Sequence, residues 1–295
     1  MVSPKGKLNY NPFYYFCKPM PIIVDGKKIA DKILARLKLY VSKAPAKPHL
    51  AVILVGKDAA SRTYIRKKQE AALSIGVKFS LYKYPQSIST KTLVKHLQKI
   101  QTQALSGIIV QLPLPSGVDK QAVLNALKPN LDVDYLSWES LGKLVIGENK
   151  LVPPTPGAIW EILKQHRIPL EGQHVVLVGA GNLIGKPLAN ILVQLPLTLT
   201  VCSKESKNLS QLTRQADILI TGAGQAELIR GSMVKKGAVV IDAGVSFRGR
   251  KMFGDVHFKE VAKVARLITP TPGGVGPITV AKLLENTVKN SRLGN

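Results

Sequence analysis

Cysteine is nearly absent. Cys17 and Cys202, in a chain of 295 residues, are too few and too distant for a disulfide framework, and no CxxC pair offers a zinc site. The histidines (His49, His96, His166, His174 and His257) include no HExxH or other paired ligand spacing, so no metal is expected. The scarcity of cysteine fits a reducing cytoplasm, and no apolar run approaches the ~20 residues that span a bilayer, so no membrane partner is expected. Acids are scarce: 18 Asp+Glu against 42 Lys+Arg give a net charge of +24, a balance that raises nucleic acid as a partner. Yet the lysines lie singly or in pairs, aromatics are only 5%, and no zinc-finger spacing or aromatic RNA-binding signature occurs. The charge therefore reads as a compositional habit that would also draw in small polyanionic substrates, and nucleic acid is not expected as a partner.

What is present is apolar substance: a hydrophobic content of 45% over this length supports two cores of ordinary domain size. Residues 1–19 stand apart, with Lys5, Lys7 and Lys18, no acid and an aromatic run Phe13–Phe16, but no h-region or cleavage site, and read as a dispensable, disordered leader. From Asp25, apolar residues at Ile29, Ala30, Ile33, Leu34 and Leu37 predict a helix. The continuously apolar Leu50–Val55 predicts a covered parallel strand, followed by a helix from Ala59 to Ile75. A strand over 77–84, a helix over 90–104 and a buried strand over 107–110 complete an alternation that implies a parallel α/β sheet.

On the helix after the first strand, Tyr64 and Lys68 are four residues apart, so a flat ring and an amine share one face beyond the strand's end. Burial or neighbouring charge would bring such an amine toward neutrality and make it a base or proton donor. A solvated helix face is the bland alternative. Gln111 closes the 107–110 strand, where open α/β sheets bind ligands, and could reach the Lys68 amine or merely end the strand. In this acid-poor chain, Asp132-Val133-Asp134 offers carboxylates to an amino-substituted heterocycle, to a metal or to a turn.

Pro153-Pro154-Thr155-Pro156-Gly157 is expected to resist helix and strand alike and to mark a domain joint. The strand His174–Val178 runs into Gly179-Ala180-Gly181-Asn182-Leu183-Ile184-Gly185 and then a helix. Glycines allow the tight turn and a close phosphate approach, and the helix N-terminus supplies N–H groups; an unliganded α/β turn is the competing reading. Further strands at 197–202, 218–220, 238–242 and 267–269 predict a doubly wound nucleotide-binding sheet. Pro272–Pro277 reads as a rigid, glycine-dense loop and 278–288 as a final helix returning to the first domain.

Several stretches are specific. Val55-Gly56 with Ala60-Ser61 and Tyr64-x-x-x-Lys68, the run Gly107–Pro115 (GIIVQLPLP), Asp132-Val133-Asp134, Pro153–Pro156, Gly254-Asp255-Val256 and Ile268–Pro277 (ITPTPGGVGP) closing in Thr279 stand together in one chain. Over Pro21–Ser291 the chain resembles the bifunctional methylenetetrahydrofolate dehydrogenase/methenyltetrahydrofolate cyclohydrolase family. The resemblance implies oxidation of 5,10-methylenetetrahydrofolate by a nicotinamide cofactor and hydrolysis of the methenyl product to 10-formyltetrahydrofolate in one cleft. It implies an α/β protein of two domains: a catalytic, folate-binding domain over 20–156 joined by the C-terminal helix 277–295, and a Rossmann-type NAD(P)-binding domain over 157–276. Tyr64 would stack on folate, Lys68 would be the essential cyclohydrolase residue, Gln111 would orient it, and Asp134 would hold the pteridine's amino edge. Val110, Leu112, Pro272, Gly273 and Gly276 would close the folate site. Gly179, Ala180, Gly181, Ser203, Lys204, Gly222, Val245 and Thr279 would hold the cofactor, and a homodimer through the cofactor domains is implied.

Four positions depart from the family pattern: Tyr135 follows DVD in place of Gly, Ala180-Gly181 replaces an Arg-Ser-like pair, Ser203-Lys204 replaces His-Ser, and the glycine after PxTP is displaced to Gly157. NADP is expected over NAD, because Ser203, Lys204 and Lys207 suit a 2′-phosphate, although Glu205 suits the ribose 2′-OH of NAD. A cyclohydrolase with weak or NAD-linked dehydrogenase activity is one alternative. A shikimate-type Rossmann dehydrogenase would explain the fold but not GIIVQLPLP with PGGVGP, and a nucleic-acid-binding protein rests on charge alone.

Overall fold

In the computed structural model, which describes residues 20–249 and 251–293, the chain enters through β1 (Ile22–Ile23) and turns at Asp25 into α1 (Gly26–Lys43). The leader expected over 1–19 lies outside the described residues. Asp25 caps α1 by accepting the Lys28 N–H at 2.9 Å, and Ile29, Ala30, Ile33, Leu37 and Val41 form its buried stripe. β2 (His49–Val55), α2 (Ala59–Ser74), β3 (Lys78–Tyr84), α3 (Thr90–Ile100) and β4 (Gly107–Val110) build a parallel sheet of order β3-β2-β4. β2 is central, so both its faces are covered and Leu50–Val55 is buried throughout, which is why the strand reads as a run rather than an alternation. The helix predicted over 90–104 stops at Ile100, where turns over 101–103 replace it.

After α4 (Lys120–Asn125) and α5 (Trp138–Val145) comes α6 (Pro154–Gln165). The proline-rich joint is therefore a helix start, contrary to expectation. Proline is tolerated in a first turn because the N–H it lacks has no intrahelical partner there.

β5 (His174–Val178), α7 (Gly185–Leu192), β6 (Thr198–Cys202), α8 (Leu209–Thr213), β7 (Ile218–Thr221), a 3₁₀ turn (Gly231–Met233) and β8 (Val239–Asp242) follow. The hairpin β9 (Ser246–Arg248) and β10 (Lys251–Phe253), then α9 (Phe258–Val261), lead to β11 (Leu267–Ile268). The large sheet is parallel throughout, in the order β1-β11-β8-β7-β5-β6. Without β1 this is the doubly wound 2-1-3-4-5 order, whose topological switch point lies between β5 and β7. The pairing of β1 with β11 places the first described strand on the edge of the second half's sheet.

The last helix, α10 (Val275–Leu293), starts before the predicted boundary and takes Gly276 and Pro277 into its first turn. It packs on α1, α2 and α6, and buried Asn286 donates to the carbonyls of Val133 (3.0 Å) and Val152 (2.8 Å). Glu285, 6% exposed, binds Arg36 of α1 at 2.7 Å, Lys282 directly and Lys289 at 3.8 Å, while Lys282 also reaches Glu161 of α6 at 3.7 Å. Burial works against ionising Glu285, but Lys282, Lys289 and Arg36 prevail and hold its pKa below the ordinary value. Glu285→Gln keeps the volume and leaves these cations short of a partner, so a loss of about 2 kcal/mol is expected in denaturant unfolding. Because the folded pKa is depressed, the Glu285 contribution is present above the unfolded value of 4.5 and fades as pH falls through the folded value. The gap between native and variant should close on acidification.

Candidate active site

Gly56, at a φ of 83° that favours glycine, turns the chain off β2, and Asp58 caps α2 by accepting the Ser61 N–H at 2.6 Å. Buried Ser61 has its hydroxyl 3.5 Å from the Leu112 carbonyl, which ties the start of α2 to the loop leaving β4. Tyr64 and Lys68 follow on one face, and Lys68 Nζ donates to Gln111 Oε1 at 3.0 Å. Gln111 is not free to turn: its Nε2 donates to the Leu112 carbonyl at 2.7 Å, which leaves the carbonyl oxygen for the lysine.

The carboxylates of Asp132 and Asp134 do different things. Asp132, 1% exposed, accepts the N–H groups of Leu136 and Ser137 and the Ser137 hydroxyl, and so does the turn chemistry. Asp134 bears electrostatically on Lys68 instead. Burial lowers the pKa of Lys68 and raises that of Asp134, and the attraction between the two only partly offsets it. Lys68 is half-buried as a residue while its amine sits deep among protein atoms. Burial also raises the pKa of Tyr64, which therefore remains a neutral phenol. An amine of lowered pKa, a fixed amide and a carboxyl group come together beyond β2 and β4, with the Tyr64 ring one helical turn before the amine.

Tyr135, next in the chain, adopts a φ of 60°. The left-handed conformation costs about 1 kcal/mol for a residue with a side chain. Its ring is 5% exposed and its hydroxyl accepts the Leu151 N–H at 3.2 Å, which offset that cost.

A second row of residues lies at the carboxyl ends of the large sheet: Gly179, Ala180 and Gly181 after β5, Ser203 and Lys204 after β6, Gly222 after β7, and exposed Val245 after β8. Gly179 has φ 109°, and a Cβ there would lie 2.5 Å from the Gly222 carbonyl oxygen, so the two turns touch at the switch point. Gly185 is required for similar reasons, with a would-be Cβ 1.9 Å from the Gly179 oxygen, whereas Gly181 faces open space. Among the described residues no side chain caps α7, whose N-terminus lies beside the Gly179 turn. Ser203 and Ser206 close their own turn, and Lys204 makes no hydrogen bond or ion pair among the described residues. Val110 ends β4, buried; Pro272 and Gly273 form an exposed loop, Gly276 lies in the first turn of α10, and the Thr279 hydroxyl donates to the Val275 carbonyl within that helix.

Family models match both parts of the chain: the catalytic domain of tetrahydrofolate dehydrogenase/cyclohydrolase over residues 24–134 and its NAD(P)-binding domain over 153–294. The chain belongs to the tetrahydrofolate dehydrogenase/cyclohydrolase family. It is 42% identical over 272 residues to the bifunctional protein FolD of Lactococcus lactis, covering 90% of this chain and 95% of that one. It is similar to the bifunctional FolD structure of Campylobacter jejuni (TM-score 0.88, 38% identity, 92% and 99% of the two chains covered). The Trypanosoma brucei enzyme, solved with NADP cofactor and inhibitor, gives a TM-score of 0.89 at 34% identity over 94% of this chain and 99% of that one. The second family domain begins with Pro153 and takes in α10, although α10 packs on α1 and α6.

Sequence reasoning passed over two features of this family member. Gly26 donates its N–H to the Gly273 carbonyl at 3.0 Å, tying α1 to the Pro272–Gly274 loop. Asp242 and Asp255, both buried, interlock behind the Gly222 turn. Their sequence signal was an acid closing an apolar strand and a Gly-Asp-Val triplet, neither of which reveals a partner.

Proposed function

We propose that this chain oxidises 5,10-methylenetetrahydrofolate to the methenyl form with NADP and hydrolyses that product to 10-formyltetrahydrofolate, acting as a cytoplasmic homodimer. The observation that carries the reading is the Lys68 amine, depressed in pKa, fixed by Gln111 and faced by Asp134, within a chain whose second sheet presents glycine turns at its switch point.

Oxidation asks the protein mainly for positioning. Bound NADP supplies the hydride acceptor. The Gly179 turn and the α7 N-terminus would hold its phosphates, with Ser203, Lys204, Gly222, Val245 and Thr279 around it. Tyr64 would stack on the folate, Asp134 would accept hydrogen bonds from the pteridine's amino edge, and Val110, Leu112, Pro272, Gly273 and Gly276 would close the pocket. In hydrolysis, water adds to the cationic methenyl carbon; Lys68 takes the water proton and returns one to N5 as the bond from that carbon to N5 breaks. The formyl group stays on N10 and one proton is released. Gln111 keeps the amine aimed throughout. A single assay following cofactor reduction and methenyl decay tests both steps; absence of either would reject that half.

For the cofactor, exposed Lys204 and Ser203 favour a 2′-phosphate, and a solved relative is an NADP complex. Lys204→Ala is expected to lower kcat/KM for NADP about ten-fold and to leave that for NAD unchanged. A native preference for NAD would transfer the role to Glu205. The dimer reading is supported by the outer edge of β6, which pairs with no further strand among the described residues and carries Val201, 43% exposed. Light scattering at assay concentration reads the mass. Among the described residues no helix is long and apolar enough to cross a membrane.

A further inference from the structure

Behind the cofactor row, the loop after β7 holds three consecutive N–H groups aimed at one point. Such a set is an anion-binding nest. Here a side chain of the protein fills it: Asp255 Oδ2 accepts the N–H groups of Ala223 (2.6 Å) and Gly224 (3.3 Å), and Oδ1 accepts that of Gln225 (2.8 Å). Asp255 is itself held. Asp242, closing β8, accepts the Asp255 N–H at 3.1 Å and the Val256 N–H at 3.0 Å, as well as the Gly244 N–H and the Thr221 hydroxyl, each at 3.0 Å. No larger residue fits around the pair: a Cβ at Gly254 would lie 1.9 Å from Asp242 Oδ2, and one at Gly244 2.1 Å from the Asp255 carboxyl carbon. Two fully buried carboxylates of like charge side by side are costly, and burial with Asp255 beside it raises Asp242 to about 6. Stability alone is a poor reason for such a pair.

We propose that Asp255, anchored by Asp242, is a positioning residue for the dehydrogenase reaction, holding the Gly222–Gln225 turn in shape against the Gly179 turn and occupying its N–H nest. The cofactor's phosphates are thereby left to the β5–α7 turn, and one orientation of the dinucleotide across the switch point is favoured. The inference rests on the dehydrogenase reading given above. Asp242 and Asp255 take no part in the Lys68 cluster, which sits on the other sheet.

The test is Asp255→Asn, which keeps the size but offers one acceptor oxygen to a nest of three donors and turns an NH₂ group toward the rest. Losing one or two charge-assisted bonds predicts a ten- to hundred-fold rise in the KM and Kd for NADP, with kcat at saturating cofactor within about three-fold of native and methenyl hydrolysis unchanged. Asp242→Asn should give the same pattern more weakly, because it acts through Asp255. Unchanged cofactor KM and Kd in a folded Asp255→Asn, whatever its melting temperature, would overturn the proposal. So would an equal loss in methenyl hydrolysis, which would mark a general structural role. Native protein without NADP reduction would instead reject the dehydrogenase reading, which separates the two failures.

Discussion

Lys68→Met should lower methenyl hydrolysis by about a thousand-fold, the scale lost when a positioned proton carrier is removed. Methionine matches the lysine stem in length and brings no charge into the interior, so folding and cofactor binding should persist. Loss of the Lys68–Gln111 hydrogen bond and of the attraction to Asp134 is offset by removing an amine that burial disfavours, so the melting temperature should change little. The native rate should drop with decreasing pH as the amine becomes protonated, at a midpoint below the ordinary lysine value of 10.5, because burial lowers its pKa. The residual rate of the variant should show no such dependence. Gln111 accepts a hydrogen bond from Lys68 in either protonation state, so it sets where the amine points and burial sets its basicity. A variant hydrolysing at the native rate would remove Lys68 from the chemistry.

Gly26→Ala should damage both reactions although Gly26 lies in neither row of site residues. A Cβ at Gly26 would stand 1.8 Å from the Gly274 carbonyl oxygen and 2.5 Å from that of Gly273. Both obstacles are backbone, so no side chain can swing aside, and the Pro272–Gly274 loop must retreat by about 1 Å or the first turn of α1 must unwind. Misplacement on that scale costs about a hundred-fold in rate when the displaced segment lines the site. The expected result is a loss of that order in kcat/KM for oxidation and hydrolysis together, with a lower melting temperature. Gly117→Ala, where a Cβ meets nothing within 4 Å, is the matched control and should be silent. Near-native activity in Gly26→Ala would show that the loop is not part of the folate pocket.

The alternation of strands and helices, the continuous run of β2 and the four-residue spacing of Tyr64 and Lys68 were all legible from the sequence, because each follows from local periodicity and from which faces must be covered. Helix ends were less legible. Pro154 and Pro277 read as breakers, yet each occupies a helix's first turn, since a proline's effect depends on whether its missing N–H had a partner. Gly157 and Tyr135 likewise looked like simple departures from the family pattern, and only the packing around Tyr135 shows how its left-handed backbone is offset.

The sequence by itself determined the fold class, the strand-end placing of the glycine turns and the shared helix face of Tyr64 and Lys68, for these depend on residues within a turn or two of each other. The tertiary structure alone decided which partners those residues meet. Gln111 reaches Lys68 across 43 positions, Asp255 reaches the β7 turn across about 30, and Glu285 reaches Arg36 across 249. Charge and burial at those meetings shift the pKa values of Lys68, Asp134 and Asp242, and desolvation exists only once the chain has closed around them.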